Sequence, residues 1–202
     1  MQNETIAIHA GYNKKEGNGS MAVPITQTTA YAFRDSEHAA NLFALKELGP
    51  IYTRLTNPTT DVLEQRFAAL EGGAAAICVA SGQSAIFYAV ANVAEAGDNI
   101  LISDKLYGGA VTLLSHTMKR FGITTKVFRS EDASNLEEQI DGKTKAIFFE
   151  SLSNPQIAIT DVEKVVEIAK RHGVLTICDN TVATAALFNP IKWGVDIVVH
   201  ST

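Results

Sequence analysis

Gly173-Val174-Leu175-Thr176-Ile177-Cys178-Asp179-Asn180-Thr181 opens on a glycine, runs through apolar residues for the length of a strand, and ends on a carboxylate. The glycine reads as the stop of a preceding helix, and the apolar run as a strand buried on both faces. A lone carboxylate at the end of such a run is costly unless it meets a cation or strong donors. In open α/β sheets the crevice beyond the carboxyl ends of the strands is where ligands sit. Asp179 is therefore a candidate for holding a cationic ring nitrogen. A second apolar strand follows at Val195-Asp196-Ile197-Val198-Val199-His200, just before Ser201-Thr202. A domain seldom finishes on an uncovered strand tip, so the chain is expected to be part of a longer protein.

Working outward, the same alternation repeats upstream. Strands are expected at Ala76–Ala80, Ile100–Ser103, near Thr125–Phe128 and at Ala146–Phe149. Helices are expected from about Gly82 to Ala94, near Gly109–Phe121, briefly around Leu136–Ile140, and at Asp161–His172. The last of these has Thr160 with Glu163 three residues on, the pattern of a capping box. Before this region, Ser36 is a plausible cap for a helix running to about Leu48, stopped by Gly49-Pro50. Thr59-Thr60-Asp61 opens another, closed by Gly72-Gly73. The first thirty-odd residues read as irregular, punctuated by Gly11, Gly17, Gly19 and Pro24, an arm expected to lie over a partner surface. Strands alternating with helices imply an α/β fold with a mostly parallel sheet flanked by helices. Residues 1–58 are read as the arm and interface segment, and residues 59–202 as the α/β domain.

Composition narrows the function classes. The 202 residues are 46% hydrophobic and 19% charged, with a formal net charge of -5, which argues against a dedicated nucleic-acid surface. The start, Met1-Gln2-Asn3-Glu4-Thr5, has neither the basic nor the apolar region of a secretory signal, and no apolar run is long enough to span a membrane. Cys78 and Cys178 each lie in an apolar strand-like run, which suits reduced core thiols in a cytoplasmic protein, and nothing resembles a zinc pair. The histidines at 9, 38, 116, 172 and 200 show no metal-ligand spacing and are assigned no catalytic role.

Each expected strand exit carries a polar cluster. Ser81-Gly82-Gln83-Ser84 sits between strand and helix, where backbone N–H groups form a ready anion site and Gly82 permits close approach of a phosphate. Tyr107 is followed by Gly108-Gly109, which leave room for a flat ligand against the ring. Asn154 precedes Pro155, so its backbone is biased to an extended form with the amide free to aim at the crevice. Arg54 beside Tyr52 can clamp a phosphate through a fork of N–H groups and a phenol. Alone, each motif also fits an ordinary turn or a solvated loop. Together they supply a phosphate cradle, a stacking ring, an amide and a carboxylate, which is the set that pyridoxal 5'-phosphate requires.

Tyr52-Thr53-Arg54-Leu55-Thr56-Asn57-Pro58-Thr59, Ser81-Gly82-Gln83-Ser84-Ala85, Tyr107-Gly108-Gly109, Ser153-Asn154-Pro155, Asp179-Asn180-Thr181 and His200-Ser201 occur in that order. This ordered set resembles the Cys/Met-metabolism group of fold-type I pyridoxal-phosphate (PLP) transferases, over the whole chain. The openings Glu4–Tyr12 and Phe33–Ala40 most resemble the O-acetylhomoserine sulfhydrylases of that group. The resemblance implies that Tyr52 and Arg54 reach across a dimer interface to a neighbour's cofactor phosphate. It implies that Ser81, Gly82, Gln83 and Ser201 bind the chain's own cofactor phosphate, that Tyr107 stacks on the ring and that Asn154 contacts its 3-hydroxyl side. It further implies that Asp179 pairs with the ring nitrogen, with Thr181 near the ring. Ser201-Thr202 would begin the family's Ser-x-Thr-Lys motif, so the Schiff-base lysine and a C-terminal domain are expected beyond Thr202.

In function, the resemblance implies replacement at Cγ of O-acetyl-L-homoserine by sulfide or a thiol in a cytoplasmic homotetramer. Acetate would leave, and Tyr107 would be a helper in proton movement. Cystathionine γ-synthase and methionine γ-lyase are the alternatives within the family; the γ-lyases carry a cysteine at the position of Gly109. A non-catalytic α/β binding module or fragment is the alternative from another class.

Overall fold

The computed structural model describes residues 2–15 and 19–202; Gly17, read above as a break in the arm, lies outside them. The chain forms two compact units, Met1–Cys78 and Val79–Thr202.

The first unit is helical. Helix α1 (Asn3–His9) occupies part of the arm expected to be irregular. Glu4 in its first turn and His9 in its last match the helix dipole, and the Arg66 side chain donates to the Ala10 carbonyl at 2.9 Å. Gly11 takes φ +77, and a Cβ there would stand 2.6 Å from the Val62 carbonyl oxygen, so only glycine makes this turn. Helix α2 (Ser36–Phe43) is capped by Asp35, whose carboxylate accepts the His38 N–H at 2.7 Å, and not by Ser36 as expected. The cap needs an extended backbone, which Asp35 has and Ser36, already inside the helix, does not. Helix α2 also ends short of Leu48, because Leu45 turns left-handed with φ +54. Helix α3 (Pro58–Glu71) starts on the Asn57 cap with proline in its first turn and ends on Gly72 at φ +77. The loop that carries Tyr52 and Arg54 is tied to the end of the arm: Thr53 N–H donates to Thr29 O at 2.9 Å, and Asn57 Nδ2 donates to Thr26 O at 2.9 Å.

The stretch Ala76–Ala80 is not a strand. A strand exists only through a ladder partner, and among the described residues none pairs with it; Ile77 is 81% exposed. Cys78, expected in the core, is likewise exposed, while Cys178 is fully buried.

The second unit holds a five-stranded sheet. Helix α4 (Gly82–Val93) leads to β1 (Asn99–Ser103), and α5 (Gly108–Thr112) continues through a π turn and a 3-10 turn to Phe121 before β2 (Thr124–Phe128). After a 3-10 turn at Glu137–Gln139 come β3 (Thr144–Glu150), α6 (Val162–His172), β4 (Leu175–Asp179), α7 (Thr184–Leu187), a 3-10 turn at Pro190–Trp193 and β5 (Ile197–Val199). The order is β2-β1-β3-β4-β5 and every pairing is parallel. The expected strands from Ile100 onward are therefore present, and α7 with the turn after it is an addition. Helix α6 is capped by Asp161, which accepts the Lys164 N–H at 3.1 Å; the expected Thr160–Glu163 box does not form. Thr160 has another partner, since its hydroxyl donates to the Glu150 carbonyl at 2.6 Å.

Side chains alternate between the two faces of this sheet. Ile100, Ile102, Phe148 and Ile177 pack with Ile86, Val90 and Leu114 on one face, beneath α4 and the segment after α5. Leu101, Ile147, Phe149 and Cys178 pack with Val165, Val166 and Ala169 of α6 on the other. Burial on both faces explains why the strands read as unbroken apolar runs. Each fully buried large side chain contributes about 1.5–3 kcal/mol. The result is a rigid shelf whose strands all end on one edge.

Candidate active site

At that edge β3 and β4 end side by side, Glu150 in register with Asp179. Above them lies a cavity of about 390 Å³. Eight of the ten candidate residues line it. Ser81, Gly82 and Gln83 come from the start of α4, Tyr107 from the turn before α5, and Asn154 from the loop after β3. Asp179, Thr181 and Ser201 come from the ends of β4 and β5. Ile86, Leu152 and Val182 complete it with apolar surface.

The anion site expected at the start of α4 is built locally. Ser81 has an extended backbone, and its hydroxyl accepts the Ser84 N–H at 3.1 Å, which caps α4. The N–H groups of Gly82 and Gln83, in the first turn, have no partner inside the helix and are available to an anion with the dipole behind them. Ser201 closes the cradle, because a Cβ built on Gly82 would stand 2.9 Å from its Oγ. The Ser201 N–H in turn donates to Thr181 Oγ1 at 2.9 Å, and the Thr181 N–H donates to Asp179 Oδ1 at 2.9 Å. One short turn therefore sets both the carboxylate and the serine. Asn180 between them is buried, accepting from the Ser151 hydroxyl at 2.7 Å and donating to the Phe188 carbonyl at 2.9 Å.

Tyr107 is half exposed, and its ring lies against Gly109: a Cβ there would meet Tyr107 Cε1 at 2.6 Å and Gln83 Nε2 at 3.1 Å. Any side chain at position 109 moves that ring. Tyr52 and Arg54 belong to the first unit and do not line the cavity; the Arg54 guanidinium lies 4.9 Å from the centre of the Tyr52 ring.

Sequence reasoning missed Glu150 as a site residue. It lines the cavity and is 3% exposed, and its carboxylate accepts the Tyr107 N–H at 2.6 Å and the Asn154 N–H at 3.0 Å. Burial pushes its carboxyl above the ordinary range, and the charge of Asp179 adds to this while the two N–H donors oppose it. The signal was the one that singled out Asp179: an acid closing an apolar strand run, here Ala146-Ile147-Phe148-Phe149-Glu150.

Residues 4–202 match the family described as Cys/Met metabolism PLP-dependent enzyme. The chain belongs to this family. It is 49% identical over 198 residues to an O-acetyl-L-homoserine sulfhydrylase of Leptospira meyeri, a match that covers 98% of this chain and 45% of that protein. A homocysteine synthase of Schizosaccharomyces pombe is 48% identical over 199 residues, covering 98% and 46%. The chain thus spans about half the length of the curated relatives it matches. Among solved structures, a Campylobacter jejuni protein named for O-acetylhomoserine (thiol)-lyase activity superposes with TM-score 0.96 at 56% identity, covering all of this chain and 49% of that one. That crystal structure carries N'-pyridoxyl-lysine-5'-monophosphate at its position 205. A cystathionine γ-lyase of Lactobacillus plantarum, complexed with L-serine, matches with TM-score 0.90 at 33% identity. The Cys/Met-metabolism fold expected from the motifs is therefore the fold observed.

Proposed function

We propose that the protein is a PLP-dependent transferase that replaces the acetoxy group of O-acetyl-L-homoserine with sulfide or a thiol, releasing acetate and giving homocysteine or methionine. One observation carries the reading: a carboxylate, Asp179, shares a single cavity with the free N-terminus of α4 and an exposed tyrosine. The names of the relatives support the choice of substrate. Bound pyridoxal phosphate supplies a protonated ring that accepts electrons from a substrate carbanion. Within this site Asp179 keeps the proton on the ring nitrogen. Gly82, Gln83 and Ser201, with Ser81 capping the helix, hold the phosphate. Tyr107 covers the ring face, Asn154 meets the 3-hydroxyl side, and Thr181 aims Asp179.

Absorbance of the full-length protein, with the lysine expected beyond Thr202, after addition of cofactor and removal of the excess, followed by an acetate-release assay, tests this. Sulfide-dependent acetate release from O-acetyl-L-homoserine is the expected result. Release of ammonia and a keto acid without any thiol would make the protein a γ-lyase. A protein that retains no visible absorbance once excess cofactor is removed would overturn the reading in favour of a binding module.

The segment 1–58 is proposed as a subunit-interface element of a homotetramer built from dimers, with Tyr52 and Arg54 serving the cofactor phosphate of the neighbouring subunit. Arg54→Ala is then expected to weaken cofactor retention by about tenfold, the loss of one charge-assisted contact. At a cofactor concentration too low to load Arg54→Ala, mixing it with Asp179→Asn subunits should restore about a quarter of wild-type turnover, since half the dimers are hybrids with one intact site in two. Absence of any recovery on mixing would confine each site to one subunit. A cytoplasmic location suits a chain in which, among the described residues, neither Cys78 nor Cys178 forms a disulfide.

A further inference from the structure

Glu150 is an expensive residue. It is 3% exposed at the end of β3, beside the carboxylate of Asp179 on the neighbouring strand. Among the described residues no lysine or arginine lies within ion-pair distance of it. A buried carboxylate without a cation persists only where N–H groups satisfy its oxygens. Both oxygens are satisfied by backbone, one from each of two separate loops. Oε1 takes the Tyr107 N–H at 2.6 Å, and Oε2 takes the Asn154 N–H at 3.0 Å. Neither donor has a claim elsewhere in regular structure: Tyr107 precedes the first turn of α5, and Asn154 sits in the loop that leaves β3. An apolar residue at position 150 would leave two donors orphaned on the wall of the cavity.

We propose that Glu150 is a positioning residue that bolts the Tyr107 loop and the Asn154 loop to the end of β3, fixing the aromatic ring and the amide relative to Asp179. The functional half of this proposal rests on the pyridoxal-phosphate reading; the structural half does not. The bolt is two-pronged. Tyr107 is half exposed and follows a connection rather than a sheet ladder, so its direction depends on what holds its backbone. Thr160 steadies the same point, donating through its hydroxyl to the Glu150 carbonyl at 2.6 Å. Glu150 itself has no part in bond making.

The test compares wild type, Glu150→Gln and Glu150→Ala in the full-length protein, with the lysine expected beyond Thr202. The first readout is amide hydrogen exchange, followed by mass spectrometry without cofactor, over peptides containing Tyr107 and Asn154. Glu150→Ala should speed exchange at both amides by at least about tenfold, the loss of hydrogen bonds to a charged acceptor. Glu150→Gln keeps one acceptor oxygen and should free one loop more than the other. If Glu150→Ala does not fold, that unequal release in Glu150→Gln carries the test. The second readout is the apparent dissociation constant for added pyridoxal phosphate, together with the circular dichroism of its visible band, which reports ring orientation rather than fold. Affinity should fall about tenfold in Glu150→Ala, with an intermediate value in Glu150→Gln and a weaker visible signal in both. Unchanged exchange at both loops would overturn the proposal. Faster exchange in a protein that binds no pyridoxal phosphate even as wild type would support the bolt and sink the cofactor reading instead.

Discussion

Asp179→Asn is expected to leave the fold intact and to lower turnover by about a thousandfold, equivalent to about 4 kcal/mol of transition-state stabilisation. The substitution is nearly isosteric. Asp179 Oδ1 accepts the Thr181 N–H at 2.9 Å, and an amide oxygen accepts the same bond, so the turn that sets Thr181 and Ser201 survives. The charge does not survive. A carboxylate at this position would favour the protonated form of a bound pyridine ring, and a neutral amide would not, which would leave the ring a weaker electron acceptor. Burial at the sheet edge strengthens the effect, because a half-buried carboxylate is less screened than one in open solvent. Turnover measured at saturating cofactor, with far-ultraviolet circular dichroism to establish folding, checks the expectation. Wild-type turnover in this variant would remove Asp179 from the role.

The reading of Asp179 from sequence rests on two things that local sequence does encode. Buried parallel strands are apolar on both faces, and an acid at the end of such a run stands out; the glycine before it and the helix before that are equally local. The same holds for Gly82, which follows a capping serine at the mouth of a helix. Pairing is not local. The run Ala76–Ala80 has the composition of a strand, yet among the described residues nothing pairs with it, and Cys78 is exposed for that reason. Caps show a finer limit. Asp35 and Ser36 are both good cap residues, as are Thr160 and Asp161, and the choice between neighbours is made by backbone angles that composition does not specify. Glu150 was legible by the rule that found Asp179. It stands out less than Asp179 because a turn-like stretch, Ser151-Leu152-Ser153-Asn154-Pro155, follows it directly, and one of the two N–H groups that satisfy it comes from Tyr107, 43 residues away.

Gly82→Ala sets two physical effects against each other. Gly82 is the first residue of α4, where alanine is the better helix former by about 0.5–1 kcal/mol, so local propensity alone predicts a slightly more stable protein. The surroundings predict a poorer site. A Cβ at this position lies 2.6 Å from Ser201 Cβ, 2.9 Å from its Oγ and 3.1 Å from its Cα. One of these neighbours is backbone, so a rotamer change does not relieve the contact, and either the start of α4 or the chain after β5 must shift. Both movements separate the Gly82 and Gln83 N–H groups from the Ser201 hydroxyl, and the anion cradle depends on their convergence. Affinity for added pyridoxal phosphate is expected to fall about a hundredfold, or 2.8 kcal/mol by the usual conversion of about 1.4 kcal/mol per factor of ten. The thermal midpoint should meanwhile move by no more than a few degrees. Pairing the change with Ser201→Gly removes two of the three close atoms and should recover part of the lost affinity, whereas Ser201→Gly alone should weaken binding. Equal affinity in wild type and Gly82→Ala, read by titration of the visible band, would show that the phosphate lies elsewhere.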